Sequence, residues 1–468
     1  MVQPANRLHI IHVASEVYPH SHSGGLGLVT GALPAAQSAL GLQTSVITPL
    51  YDSVRKSELQ DTACTFRVRL GTRITTIRVF QTIEKDVPIY FLHCPEAFAR
   101  TEMYGPRPTL DYADNAWRFA LLCRGALELC RRLRLHPDIF HCHDWHAGLL
   151  PFWCRTQLHG WVRTIQTIHN LGYQGTFPAD TVEELGIDPH YFQPSGLEFW
   201  GWLSFLKAGL VYADRITTVS PSYATEILEP RYGNGLDGVL RCRQNDIVGI
   251  LNGIDTTTWD PSTATPPITP DSPVGKSSAN QRLRSHFELE PGGVLLCIVS
   301  RLIAQKGIDL IPSAIRPFIE RGEIRLIAVG DGDCTEGLHT LTREFPNRVA
   351  LDRNYRYALA RDVVSGSDGL LMPSRYEPCG LTQLIAMRYG TLPIVRHTGG
   401  LADSVVDGKT GFTFEKPTVS ALREVIRRFI EAKDQWKSMS FQAMNTDYSW
   451  TNSAQKYIQL YEEVHAGE

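Results

Sequence analysis

The chain has 468 residues, 43% of them hydrophobic and 20% charged, with a net charge of −3 and a pI near 6.6. That length exceeds one ordinary hydrophobic core and predicts two or three domains. The balanced charge gives no global argument for nucleic acid or for an anionic membrane surface, so an anionic ligand would have to be met by local groups.

The opening residues "MVQPANRLHIIHVASE" hold a short apolar run broken by two histidines and no small-residue cleavage site, which reads against a secretory leader. "LHIIHVA" (8–14) suits a buried parallel strand. A glycine turn follows in "SEVYPHSHSGGLGLV", then a helix over 26–41 with Pro34 inside it. Further strands are expected at "TSVITPL" (44–50), "VPIYFLHC" (87–94) and "PDIFHCHD" (137–144). An amphipathic helix lies over 114–133, with Asp114 as its N-cap. "RTIQTIHN" (163–170) and "RITTVSPS" (215–222) continue the pattern. A proline-rich stretch at 259–279 reads as a linker or surface excursion.

A second series begins with "VLLCIVS" (294–300) and runs through a helix at 307–322 and strands at 324–333, 369–374 and 391–400. It closes with a helix at 451–464 capped by Thr451 or Asn452. Strands alternating with helices predict α/β architecture: two Rossmann-like, doubly wound halves facing a deep cleft, with ligands at the carboxyl ends of the strands. The expected division is 1–262, a linker at 263–292, 293–446, and a final helix at 447–468. No run approaches the roughly twenty apolar residues that span a membrane. Ten cysteines without a CxxC pair predict reduced thiols and a cytoplasmic setting.

Chemistry-bearing residues collect at the predicted strand ends. "HCHDWH" raises a metal site, but in a strand His141 and His143 point one way and Cys142 the other, which favours a polar cleft. Asp144, His169 and Asn170 follow strands of the first half, and Glu16, Gly24 and Gly25 flank the glycine turn. In the second half, Arg301 and Lys306 can clamp a diphosphate, one as a fork and one as a point charge. Gly380, Leu381 and Thr382 open a helix whose free N–H groups suit an anion. Glu377, just before it, can accept from sugar or ribose hydroxyls. Carboxylate, imidazole and amide from one half, with cations from the other, suit a sugar leaving a diphosphate.

These stretches resemble the bacterial glycogen synthase and plant starch synthase family, glycosyltransferase family 5. The resemblance rests on "ASE" with "GGLG", "YADNAWRFA", "HCHDWHAGLLP", "TIHNLGYQG", "GILNGIDTTTWDP", "SRLIAQKGIDL" and "MPSRYEPCGLTQLIAMRYGTLPIVRHTGGLADSV". It implies a GT-B fold. It implies retaining, metal-free and cofactor-free transfer of glucose from ADP-glucose to the 4-OH of an α-1,4-glucan or maltooligosaccharide. By the same resemblance Arg301 and Lys306 hold the diphosphate, Tyr355 packs on adenine, and Glu377 and Cys379 belong to the donor site. Asp144, His169 and Asn170 lie on the sugar side, and Glu16 is the acidic residue beside the glycine loop. The chain departs from the family in that loop, where His22 replaces a lysine and Leu28 an aspartate. UDP-glucose as donor, a changed acceptor, or a non-catalytic glucan-binding homologue are the alternatives this departure raises.

Overall fold

The run "HIIHV" forms β1 (His9–Val13), buried at every residue, as a strand covered on both faces of a parallel sheet must be. The computed structural model describes residues 7–107, 110–158, 160–272 and 274–467, so the first six residues of the opening stretch lie outside it. The chain divides into two units. One comprises residues 1–219, 224–250 and 450–468, the other 220–223 and 251–449.

In the first unit the strands after β1 are β2 (Gln43–Pro49), β3 (Gln60–Leu70), β4 (Arg73–Glu84), β5 (Val87–His93), β6 (Ile139–His143) and β7 (Arg163–Ile168). After them come β8 (Thr176–Phe177), β9 (Glu198–Phe199), β10 (Trp202–Ser204), β11 (Arg215–Thr218) and β12 (Ile247–Gly249). Nine form one sheet in the order β12-β11-β7-β6-β1-β2-β5-β4-β3, and β8-β10-β9 form a small one. β1 pairs in parallel with β2 and β6, but β4 runs antiparallel to both β3 and β5. The wholly parallel sheet expected from sequence is therefore extended by an antiparallel edge. Residues 60–70 alternate exposed and covered positions there, the pattern of a sheet with one wet face.

Helix Gly25–Ala39 follows β1, and helix Trp450–Ala466 lies on the same sheet. That last helix buries Trp450, Ala454, Tyr457, Leu460, Tyr461 and Val464 among Ile10, Val29, Leu33, Ile139 and Ile165. It begins at Trp450, so Thr451 and Asn452 sit inside its first turn rather than capping it. Asp114 does precede helix Asn115–Leu133, but its carboxylate makes no cap bond and pairs with Arg100 instead.

The second unit carries β13 (Val294–Val299), β14 (Ile324–Val329), β15 (Val349–Asp352), β16 (Gly369–Met372), β17 (Leu392–Arg396) and β18 (Phe412–Phe414), all parallel, in the order β15-β14-β13-β16-β17-β18. Strand parity splits its core in two. Leu296 and Ile298 pack with Ile311, Ile315 and Phe318 on one face. Leu295, Cys297 and Val299 pack with Val363, Leu384 and Met387 on the other. Residues 263–292 are not a bare linker. They include helix Val274–His286, whose Ala279 and Leu283 are buried in this unit's core. Among the described residues no helix is long and apolar enough to cross a membrane.

Candidate functional site

In each unit the candidate residues sit where strands end and turns begin. The chain leaves β6 at Asp144, whose backbone takes φ 53° and ψ −170°, a conformation that non-glycine residues rarely adopt. Its N–H bonds the Thr167 carbonyl at 2.9 Å. Its carboxylate accepts the backbone N–H of His169 at 2.8 Å and that of Asn170. The side chain is 7% exposed, and burial pushes its pKa up to about 7. Asp144 therefore shapes the turn after β7 that carries His169 and Asn170. The Asn170 side-chain oxygen is used in that turn, accepting from Gly172 N–H at 3.0 Å. His169 Nε2 lies 2.9 Å from His143 Nδ1.

The glycine loop is tied down by Glu16. Its buried carboxylate accepts from Ser23 N–H and Ser23 Oγ at 2.7 Å each, and from the Tyr104 hydroxyl. It serves as the loop's anchor. A Cβ on Gly24 or Gly25 would meet nothing within 4 Å, so that side of the loop is open. The glycine that space demands is Gly27, where a Cβ would come within 2.6 Å of His22 Cβ. The His22 side chain is exposed, edge-on to Tyr18 at 5.1 Å. Leu28 leaves the first turn of helix Gly25–Ala39 without an acidic residue. A cavity of about 380 Å³ in this unit is lined by Arg7, His9, Gln43, Ser45 and Tyr90 and includes none of these groups.

In the second unit, Arg301 stands exposed after β13, and Lys306 ends a 3-10 turn, Ala304–Lys306. Lys306 Nζ lies 2.6 Å from Glu377 Oε2, with 17% and 6% of the two side chains exposed. Ser374 Oγ donates to the same oxygen at 3.0 Å. The expected phosphate cation and the expected hydroxyl acceptor are thus paired with one another. Gly380 has φ +73°, and a Cβ there would strike Gln383 Oε1 at 2.4 Å. Leu381 and Thr382 start the seven-residue helix Thr382–Arg388, whose first-turn amides precede its ladder. Cys379 is buried against Asn252 with its thiol pushed up to about 12 by burial, so it stays neutral and fills the turn. Tyr355, between β15 and the next helix, is 58% exposed.

Sequence reading missed Ser23, Tyr104, Gln37, His12, His143 and Tyr461 as members of these networks. Tyr104 reaches Glu16 across 88 residues, and His12 reaches His143 across 131, separations that only the folded chain bridges.

Residues 9–242 match the family model described as the starch synthase catalytic domain, and residues 280–445 match glycosyl transferases group 1. The chain is 41% identical to the glycogen synthase of Syntrophotalea carbinolica, over 98% of this chain and 99% of that one. It is 39% identical to that of Geotalea daltonii, over 97% and 98%. The solved catalytic domain of starch synthase IV from Arabidopsis thaliana, bound to ADP and acarbose, superposes with a TM-score of 0.90 at 28% identity, over 98% of this chain and all of that one.

Proposed function

This chain belongs to the glycogen synthase and starch synthase family of GT-B glycosyltransferases, and from that premise we propose that it moves glucose from ADP-glucose to the non-reducing 4-hydroxyl of an α-1,4-glucan, with retention at the anomeric carbon. Its activity is glucosyl transfer in glycogen or starch synthesis. The observation that carries the proposed chemistry is the buried Lys306–Glu377 contact after β13 and β16. A fixed ammonium held by a carboxylate is a cation ready to exchange its partner for a diphosphate.

In the proposed reaction the bond from the anomeric carbon to the diphosphate oxygen breaks, and a bond to the acceptor oxygen forms. The acceptor proton passes to the departing diphosphate, giving ADP and a glucan longer by one glucose. Lys306 and Arg301 take up the charge that grows on the leaving group, which is the kind of stabilisation that dominates such steps. The amides of Gly380, Leu381 and Thr382 add to it. Glu377, released from Lys306, accepts from a sugar or ribose hydroxyl, and the Tyr355 ring stacks on the adenine. In the first unit, the turn held by Asp144 presents His169 and Asn170 to the glucose.

The test is incorporation of labelled glucose from ADP-glucose or UDP-glucose into glycogen. Incorporation from ADP-glucose is expected. Preference for UDP-glucose would overturn the donor assignment, and glucan binding without incorporation from either donor would overturn the enzyme reading of the site. His22 is the reason to run both donors. A His22→Lys variant, which restores the loop cation, is expected to lower the KM for ADP-glucose about fivefold, the worth of ~1 kcal/mol for an added exposed charge. An unchanged or higher KM, measured in the same assay, would show that the loop is adapted to histidine.

A further inference from the structure

Four histidines of the first unit, His169, His143, His12 and His141, lie in one hydrogen-bonded run, of which glucosyl transfer as described above uses only His169. The register of β1 on β6 places His12 beside His141. His141 and His143, two residues apart on one strand, stack on the same face with ring centroids 4.3 Å apart.

From His169 inward, His169 Nε2 lies 2.9 Å from His143 Nδ1, and His143 Nε2 lies 3.0 Å from His12 Nδ1. His12 Nε2 lies 2.8 Å from Gln37 Oε1, and Gln37 Nε2 donates to the Tyr461 hydroxyl at 2.8 Å. The run continues from Tyr461 to His141 Nδ1 at 2.7 Å, from His141 Nε2 to Thr167 Oγ1 at 2.5 Å, and on to Thr217 Oγ1 at 2.5 Å. Burial holds these rings neutral. It pulls His12 down to about 4, His169 to about 3, and His141 and His143 well below the ordinary histidine value.

A neutral imidazole has one N–H and one lone pair, so a ring that donates on one side accepts on the other. The orientation of one amide therefore sets every proton. Gln37 turns its N–H toward Tyr461 and its carbonyl toward His12. His12 must then donate from Nε2 and accept at Nδ1. His143 must donate from Nε2 and accept at Nδ1, and His169 must donate from Nε2. On the other arm Tyr461 donates to His141, His141 to Thr167, and Thr167 to Thr217. Every contact then has one donor and one acceptor. Turning the Gln37 amide over would reverse the whole run.

We infer that the His143–His12–Gln37–Tyr461 chain fixes His169 in the tautomer protonated at Nε2, so that His169 meets the sugar with Nδ1 as a hydrogen-bond acceptor for a hydroxyl. The inference rests on the reading of His169 as a sugar-side residue. His143, His12, Gln37 and Tyr461 are positioning residues, and the helix at the chain end sets a proton position at the far end of the run. A metal on His12, His141 and His143 is the competing use, since their nitrogens lie within 4.8 Å of one another. However, both nitrogens of each of those rings are already engaged in the run, and a metal would have to break it.

The experiment labels histidine with ¹⁵N and reads the two ring-nitrogen shifts of His169, assigned by their loss in His169→Phe, alongside donor KM and kcat. The wild type is expected to carry its proton on Nε2 alone. Tyr461→Phe removes only a hydroxyl and leaves Gln37 free to turn. It is expected to average the two His169 shifts and to lower kcat about tenfold, the worth of one hydrogen bond, with KM within about twofold. Gln37→Glu still accepts from His12 and is expected to keep the wild-type shifts. A proton on Nδ1 in the wild type, or unaltered His169 shifts in Tyr461→Phe, overturns the inference. So does an unchanged kcat in Tyr461→Phe while His169→Phe is inactive, or a stoichiometric zinc ion lost on His12→Phe. Full transfer activity in His169→Phe overturns instead the sugar-side reading on which the inference stands.

Discussion

A Lys306→Met protein is expected to be about 3 kcal/mol less stable than the parent and to transfer glucose about a thousandfold more slowly. The two losses have different causes. The ammonium sits 2.6 Å from a Glu377 carboxylate that is 6% exposed. Deleting it leaves a buried charge with Ser374 Oγ at 3.0 Å to share it. Removing one partner of a buried pair costs about 3–5 kcal/mol, and the residual exposure of Lys306 puts this case at the lower end. The rate falls because the proposed leaving diphosphate loses a fixed cation. Adding Glu377→Gln in the same chain removes the stranded charge. The double variant is expected to regain most of the urea midpoint and none of the rate. Recovery of both would reduce Lys306 to a structural role and overturn its assignment to the leaving group.

The sequence made the parallel strands legible because they are buried on both faces. "VLLCIV" is a continuous apolar run and "IRLIAV" one broken by Arg325 alone; they appear as β13, one residue shorter than expected, and as β14, which ends four residues before the expected 333. The antiparallel edge was not legible by the same rule. In β3 and β4, Arg67, Arg69 and Arg78 alternate with Phe66, Val68 and Ile77, so no apolar run exists there. Helix Val274–His286 was hidden for a similar reason, since it buries only Gly275, Ala279 and Leu283 behind a proline-rich lead. The strand-end positions of the candidate residues were legible because strand, turn and polar residue are neighbours in sequence. Their couplings were not. Lys306 meets Glu377 across 71 residues, and Glu16 turns inward onto Ser23 and Tyr104. A motif places a residue at a strand end, but the register of other strands decides which way its protons and charges face.

Asp144 carries the second large expectation, which concerns stability against pH. In the folded chain burial raises its carboxyl to about 7 from an ordinary 3.8. Between those values the folded state holds a proton that the unfolded state has released. Stability therefore falls as pH rises from about 4 to about 7 and stays lowered above that. Three pH units correspond to about 4 kcal/mol. An Asp144→Asn chain has no proton to lose, and asparagine, isosteric with aspartate, places the same steric demand on the φ 53°, ψ −170° backbone found here. Its stability relative to wild type is expected to rise by about 4 kcal/mol between pH 4 and pH 8, whatever constant offset the altered contacts to the His169 and Asn170 amides introduce. Urea midpoints across that range measure the difference directly, and parallel curves would show that Asp144 titrates normally. The same variant weakens the clamp on the turn that carries His169, so its kcat is expected to fall even at the pH where the fold is better off. A buried carboxyl with a raised pKa, a rare backbone conformation and a hold on the turn after β7 together support the proposal that this turn serves the reaction.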